Sequence, residues 1–229
     1  MDGVEERWQR TTRLRLRPPV RDDADAVRRL RQDTAVMRFL GGVVDDAEAR
    51  LRFARDLRHW DRHGYGLCVV EVDGVFAGLA GFRHFEGDPD LSYLLARDQW
   101  GRGLATEAAR ACLAWGFDAI DAEMVRAMTD PGHRASQRVL TKIGLRYAGE
   151  RVLWGSRQRC YVMTPGEWAL RHPDGHPAAS GGMSGTAGIG GTAGMGTPLD
   201  ARGGRLRHLG SRLTRRRATP TDPGGPGDG

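Results

Sequence analysis

Asp98-Gln99-Trp100-Gly101-Arg102-Gly103-Leu104-Ala105-Thr106-Glu107 stands between two runs of different periodicity. Before it, Leu91–Leu95 reads as a short strand. After it, Leu104, Ala108, Ala111, Cys112, Trp115 and Ala119 recur at helical spacing. The ten residues are therefore a strand-to-helix turn. Gly101 and Gly103 let the backbone approach a ligand closely. The first amides of the helix find no partner inside it. Together these features suit an anion such as phosphate. Glu107, in the first turn, suits the helix dipole. Two glycines alone also fit a turn that needs them only for its shape.

Working outward, Thr12–Arg17 alternates Leu14 and Leu16 with Arg13, Arg15 and Arg17, as a half-buried strand does. Pro18-Pro19 ends it. Asp22-Asp23 are placed to cap a helix through about Arg31. Asp45 followed by Glu48 has capping-box spacing. Ala47, Leu51, Ala54, Leu57 and Trp60 then form a stripe that stops near Gly64. Leu67–Val72 and Val75–Phe82, joined by Asp73-Gly74, predict a hairpin. Asp88-Pro89 predicts a turn. Downstream, Met124–Thr129 predicts a strand and Ala135–Ile143 a helix closed by Gly144. Tyr147–Leu153 and Arg159–Met163 predict a final strand pair. A hairpin-rich half followed by β-α-β-α-β is a mixed α/β layer arrangement.

Composition divides the chain. Residues 173–229 hold 16 of its 33 glycines, so the low apolar share of 39% is a property of the tail more than of the rest. A domain is expected over 13–172. A tail is expected over 173–229, with a flexible Gly-rich linker near Gly175–Gly196. Seven Arg and four Asp give the tail +3 of the net +6, so the domain is only mildly basic. The tail arginines all fall in 202–217. They read as a solvated basic tail, or as a salt-sensitive contact to RNA or the ribosome. No aromatics are interleaved for base stacking. Cys68, Cys112 and Cys160 are distant and odd in number, with no CxxC pair, so neither a metal site nor a disulfide framework is indicated. Free thiols suit a reducing, cytoplasmic setting. Met1–Arg10 has no apolar leader core, and no apolar run of about 18 residues predicts a membrane span.

The ten-residue string resembles the GCN5-related N-acetyltransferases, in particular the ribosomal-protein N-terminal acetyltransferase branch. The resemblance runs from Thr12 to about Leu170. It includes Thr12-Arg13-Leu14-Arg15-Leu16-Arg17-Pro18, Asp90-Leu91-Ser92-Tyr93, Trp100–Glu107, Arg134–Leu140, Lys142–Leu145 and Glu167-Trp168. It implies the fold of that family, a central, mostly antiparallel sheet flanked by helices. It also implies an N-acetyltransferase that moves acetyl from acetyl-CoA to a primary amine by direct attack on the thioester, without a metal. The pyrophosphate loop it implies is Trp100, Gly101, Arg102, Gly103, Leu104, Ala105 and Thr106. Backbone N–H groups of Leu94, Leu95 and Ala96 would face the acetyl carbonyl and pantetheine.

Asp90 stands where this branch usually has Glu and is the implied base, one methylene shorter; after Pro89 it also reads as a turn residue. Ser136 is the implied acid or CoA ligand, and also reads as a helix N-cap. His133 replaces the family's usual Asn, as a pantetheine contact or a proton carrier. His84 reads either as lining the amine pocket or as an edge residue without a role. Trp60, Trp115, Tyr93 and Tyr147 read as packing residues. Two rival readings stand beside transfer: a CoA-binding regulatory module without turnover, and an RNA or ribosome binder acting through the tail. The acceptor is open among a protein N-terminus, an antibiotic and a polyamine, and the assembly between monomer and homodimer.

Overall fold

A computed structural model describes residues 9–120 and 122–173. Apart from Pro173, the expected tail with its linker and arginines lies outside them. The strands are β1 (Gln9–Arg10), β2 (Arg15–Arg17), β3 (Leu67–Val72), β4 (Val75–Phe85), β5 (Asp88–Leu95), β6 (Val125–Thr129), β7 (Arg146–Leu153) and β8 (Ser156–Met163). The helices are α1 (Ala24–Gln32), α2 (Thr34–Met37), α3 (Asp46–His63), α4 (Leu104–Ala119), α5 (Arg134–Lys142) and α6 (Pro165–Arg171). The strands form one sheet in the order β1-β2-β3-β4-β5-β6-β8-β7. Every neighbouring pair is antiparallel except β5 and β6. Among the described residues no helix is long and apolar enough to cross a membrane.

Each face of the sheet is covered by helices. On one side Val27 and Leu30 of α1, Val36 and Met37 of α2, and Phe53 of α3 pack on Leu79 and Leu94. On the other, Leu104, Ala108 and Leu113 of α4 and Leu140 of α5 pack on Phe82, Leu91 and Leu95. Alternation along β5 sorts its side chains between these faces. Leu91, Tyr93 and Leu95 look toward α4; Leu94 looks toward α1–α3.

Local signals explain most boundaries. Asp73 and Gly74 both have positive φ, 50° and 77°, as a two-residue hairpin turn requires. The Asp45 carboxylate accepts from the Glu48 N–H at 2.8 Å, and Gly64 ends α3 in the left-handed conformation. Glu48 does not return the cap; it accepts from Arg52.

Several expectations are corrected. The buried stripe of α3 is Ala49, Phe53 and Trp60, while Ala47 and Leu51 are exposed, because the helix packs one face further round. Asp23 binds Arg17 and the Val20 N–H rather than capping α1. The turn before β5 is Glu86-Gly87, with φ 51° and 94°, not Asp88-Pro89. Pro89 sits inside β5, opposite His84. Helices α2 and α6 and the short β1 are additions. Each added helix has a polar cap: the Asp33 carboxylate accepts from the Ala35 and Val36 N–H groups, and Thr164 with Glu167 forms a capping box before Pro165.

The sheet opens at one place. β5 and β6 share a single paired position, Asp90 with Arg126. Both strands continue past it in the same direction without pairing, so they part toward their carboxyl ends.

Candidate functional site

The quoted turn lies at the end of β5, beside this opening. Gly101 and Gly103 have φ of 74° and 77°, in the region glycine enters at no steric cost. Gly103 is the residue before α4, and no side chain caps that helix. Its first amides therefore stay directed outward, with the positive end of the helix dipole behind them.

The turn is held in place by its neighbours. The Trp100 indole N–H donates to the Leu95 carbonyl at 2.8 Å. Glu107 does more than suit the dipole. Its carboxylate accepts from the Thr11 hydroxyl, and from the Arg13 backbone N–H at 3.0 Å and Nε at 2.7 Å. Nη1 of Arg13 donates to the Arg102 carbonyl at 2.9 Å. Burial pushes the Glu107 carboxyl up, but the bonds from Thr11 and Arg13 outweigh it and hold it below the usual carboxylate range. Glu107→Ala removes these bonds, and because water reaches the Arg13 donors the loss is about 1 kcal/mol. The expected outcome is a lowered melting temperature with the rest of the fold kept, checked by thermal denaturation of the variant beside the wild type.

The register of β4 and β5 decides which amides face the opening. The Ala96 N–H donates to the Ala77 carbonyl at 2.9 Å. In an antiparallel ladder every second residue bonds to the same neighbour, so Leu94, opposite Leu79, is also turned to β4. Tyr93 and Leu95 are turned the other way, toward the gap where β6 departs. The expected donors thus move from Leu94, Leu95 and Ala96 to Tyr93 and Leu95.

Two clefts meet here. The first, about 560 Å³, runs from the Trp100–Thr106 turn to Gly132–Ser136. The second, about 660 Å³, reaches Asp90, Arg83 and Asp130. They share Arg38, Phe39, Leu40, Tyr93, His133 and Ser136. Helix α2 and the residues after it, absent from the sequence reading, thus supply one wall.

Asp90 lies in the second cleft. Its Oδ1 is shut off from solvent and has no hydrogen-bond partner among the described residues. Burial pushes its carboxyl up to about 7, with Arg83 and Arg126 opposing. Ser136 is the third residue of α5, not its cap; His133 holds the cap position. The Ser136 Oγ lies 3.0 Å from the Tyr93 hydroxyl, which also donates to the Ser136 carbonyl at 3.2 Å. Burial pushes the Tyr93 phenol above its usual range despite the Ser136 bond, so it stays protonated at neutral pH. His133 stacks on Phe39, with ring centroids 4.4 Å apart. Burial lowers its imidazole pKa against the pull of Asp130, so it is neutral at pH 7.

Tyr93 is the residue the sequence reading missed. Its spacing from Leu91 and Leu95 marks it as core, and nothing local announces its hydroxyl. Trp60 is core as expected; Tyr147, half exposed, is not. His84, near Tyr65 and His63, lies outside both clefts but lines a neighbouring cavity on the α1–α3 side. The three cysteines are free, and burial raises each thiol.

Residues 13–146 match the Acetyltransferase (GNAT) domain family. An uncharacterized protein of Bacillus subtilis, YkkB, is 36% identical over 145 residues, covering 60% of this chain and 84% of its own. The structure of an acetyltransferase from Agrobacterium tumefaciens has a TM-score of 0.63 at 27% identity, covering 68% of this chain and 93% of that one. RimL, a ribosomal-protein α-N-acetyltransferase solved with coenzyme A, shares the fold, with a TM-score of 0.60 at 18% identity over 67% of this chain and 95% of its own.

Proposed function

The chain belongs to the acetyltransferase (GNAT) domain family and is an acyltransferase, and from that premise we propose that it transfers acetyl from acetyl-CoA to a primary amine by direct attack. The observation that carries the reading is the meeting of the two clefts at Tyr93 and Ser136. One cleft has a phosphate cradle at its far end, and the other has a carboxyl tuned near neutrality. The residues present fit CoA. The turn at 100–106 offers left-handed glycines and uncapped amides for its phosphates, and the parted strands offer backbone donors beyond.

Acetyl-CoA supplies the activated thioester. The Tyr93 and Leu95 amides polarise the carbonyl oxygen. Asp90 accepts the proton of the attacking amine, directly or through water. With its pKa near 7 it is partly ionised at neutral pH, where a base works best. An α-amine, near 7.7–8.0, then needs little further help. Tyr93, protonated and positioned by Ser136, delivers a proton to the departing sulfur. Ser136 thus acts through Tyr93 rather than as the acid itself, and neutral His133 with Phe39 lines the passage between the clefts. The domain of 13–172, a cytoplasmic setting, and a monomer or homodimer belong to the same proposal.

Thiol release with acetyl-CoA and an amine panel tests the reading. Tyr93→Phe is expected to lower kcat by about 10²-fold, the lower bound for a general acid, with KM for acetyl-CoA little changed. Ser136→Ala is expected to lower it less. Unchanged kcat in Tyr93→Phe would reject Tyr93 as the acid. Normal CoA binding with no turnover on any amine would favour a regulatory module.

A further inference from the structure

A third cavity, about 590 Å³, lies on the α1–α3 side of the sheet. It shares Leu40, Arg52, Arg83, Ser92 and Trp154 with the cleft that holds Asp90. Arg83, which lines both, stands opposite Asp90 in the β4–β5 register. Trp154, 72% exposed at the β7–β8 turn, stands at their common rim.

The walls of this cavity are short of negative charge. They carry four guanidinium groups, Arg31, Arg52, Arg55 and Arg83, against two carboxylates, Glu48 and Asp56. Glu48 is taken by Arg52 at 2.7 Å. Asp56 is shared between Arg31 and, at 3.8 Å, Arg83. Arg31 is only 2% exposed, and its Nη1 has no hydrogen-bond partner among the described residues. His59 Nε2, on the same wall, is also buried without a partner among the described residues. A guanidinium has donors and no acceptor. A buried N–H left unpaired is costly. What would complete this wall is an anionic oxygen, and a carboxylate matches the guanidinium fork.

We propose that this cavity is an anion subsite for the acceptor: the amine presented to Asp90 carries a carboxylate that seats against Arg31 and Arg83. The amine end of this assignment rests on the acetyl-transfer reading above; the carboxylate end does not. The carboxylate belongs either to a free amino acid or to an acidic side chain close to a peptide N-terminus. A polyamine would instead bring further positive charge to four guanidinium groups, which the field disfavours.

The test uses the full chain and two readouts. In the first, kcat/KM is measured with acetyl-CoA for matched acceptors: a short peptide with Asp or Asn at its second position, free glutamate and its diamide, and spermidine. At least one carboxylate member is expected to exceed its amide partner by about tenfold or more and to exceed spermidine. A preference in the peptide pair alone assigns the peptide source; one in the free pair alone assigns the amino acid. Arg31→Gln is expected to abolish the preference. Arg55→Gln, an exposed change that spares the fold, is expected to reduce it about threefold. The second readout needs no turnover. It measures calorimetric binding of the N-acetylated Asp and Asn peptides and of N-acetylglutamate and its diamide to the CoA-loaded protein. Preferred binding of a carboxylate member with no turnover on any amine supports the subsite and counts against acetyl transfer. Turnover without preference in either pair, or a preference for spermidine, overturns the subsite and leaves acetyl transfer standing.

Discussion

Gly103→Asp is expected to weaken CoA binding by about 100-fold or more, the equivalent of roughly 3 kcal/mol, while the protein stays folded. Space is not the issue. A Cβ at this position would meet only the Arg13 Nη2 atom, at 3.7 Å. The φ of 77° strains a side chain, but Asp tolerates this region better than most residues. What changes is charge. The new carboxylate stands at the positive end of α4, where the pyrophosphate would lie, and it repels that group while competing for the same amides. Gly103→Ala separates the terms, since it brings the strain without the charge and is expected to weaken binding far less. Titration calorimetry with CoA, alongside a melting curve for each variant, is the check. If the two glycines serve only the shape of the turn, both variants lose stability alike and CoA affinity follows neither.

The second large effect is at Asp90. Asp90→Asn removes the proton acceptor at nearly constant shape, and kcat is expected to fall by about 10²–10⁴-fold. As the proposed base, Asp90 works as the ionised carboxylate, so kcat is expected to rise with pH with its midpoint near 7. In the variant that limb disappears, and only the ionisation of the acceptor amine remains. Stability carries an independent signature. The folded carboxyl titrates near 7 and its free counterpart at 3.8. Between those values the folded state holds more protons than the unfolded one, so Asp90 lowers stability as pH rises through the window. The neutral Asn escapes this penalty. Asp90→Asn is therefore expected to melt higher than wild type at pH 8, with the gap closing toward pH 4. Asp90 lies within β5 rather than in a turn, and a strand residue without a catalytic role would not show the lost pH limb.

The parts of this molecule that were legible in its sequence are those decided within a few residues. Asp73-Gly74 needs only its own backbone preference to make a hairpin. The Trp100–Glu107 turn needs only its glycines and the helical stripe behind it. Elsewhere the deciding contact lies far along the chain. The Glu107 carboxylate is organised by Thr11 and Arg13, some ninety positions earlier, and no local pattern couples them. Tyr93 reads as core because its ring is core; its hydroxyl gains meaning only from Ser136, on α5. Of the amides expected at Leu94–Ala96, only that of Leu95 is turned away from β4, because in a strand neighbouring residues point to opposite sides. Only the Ala96 bond to Ala77 fixes the phase. Arg31 on α1 and Asp56 on α3 each look like residues of a solvated helix face. Packing of the two helices turns them into a buried pair.

The most direct measurement is amine-dependent release of free CoA from acetyl-CoA by the full chain, with mass spectrometry to identify the acetylated amine. The expected result is saturable release that needs both substrates, yields an N-acetylated product and is lost in Gly103→Asp. Failure to bind CoA, or release unchanged by Gly103→Asp, would contradict the account at its root, because the turn at Trp100–Thr106 would then not be the donor site.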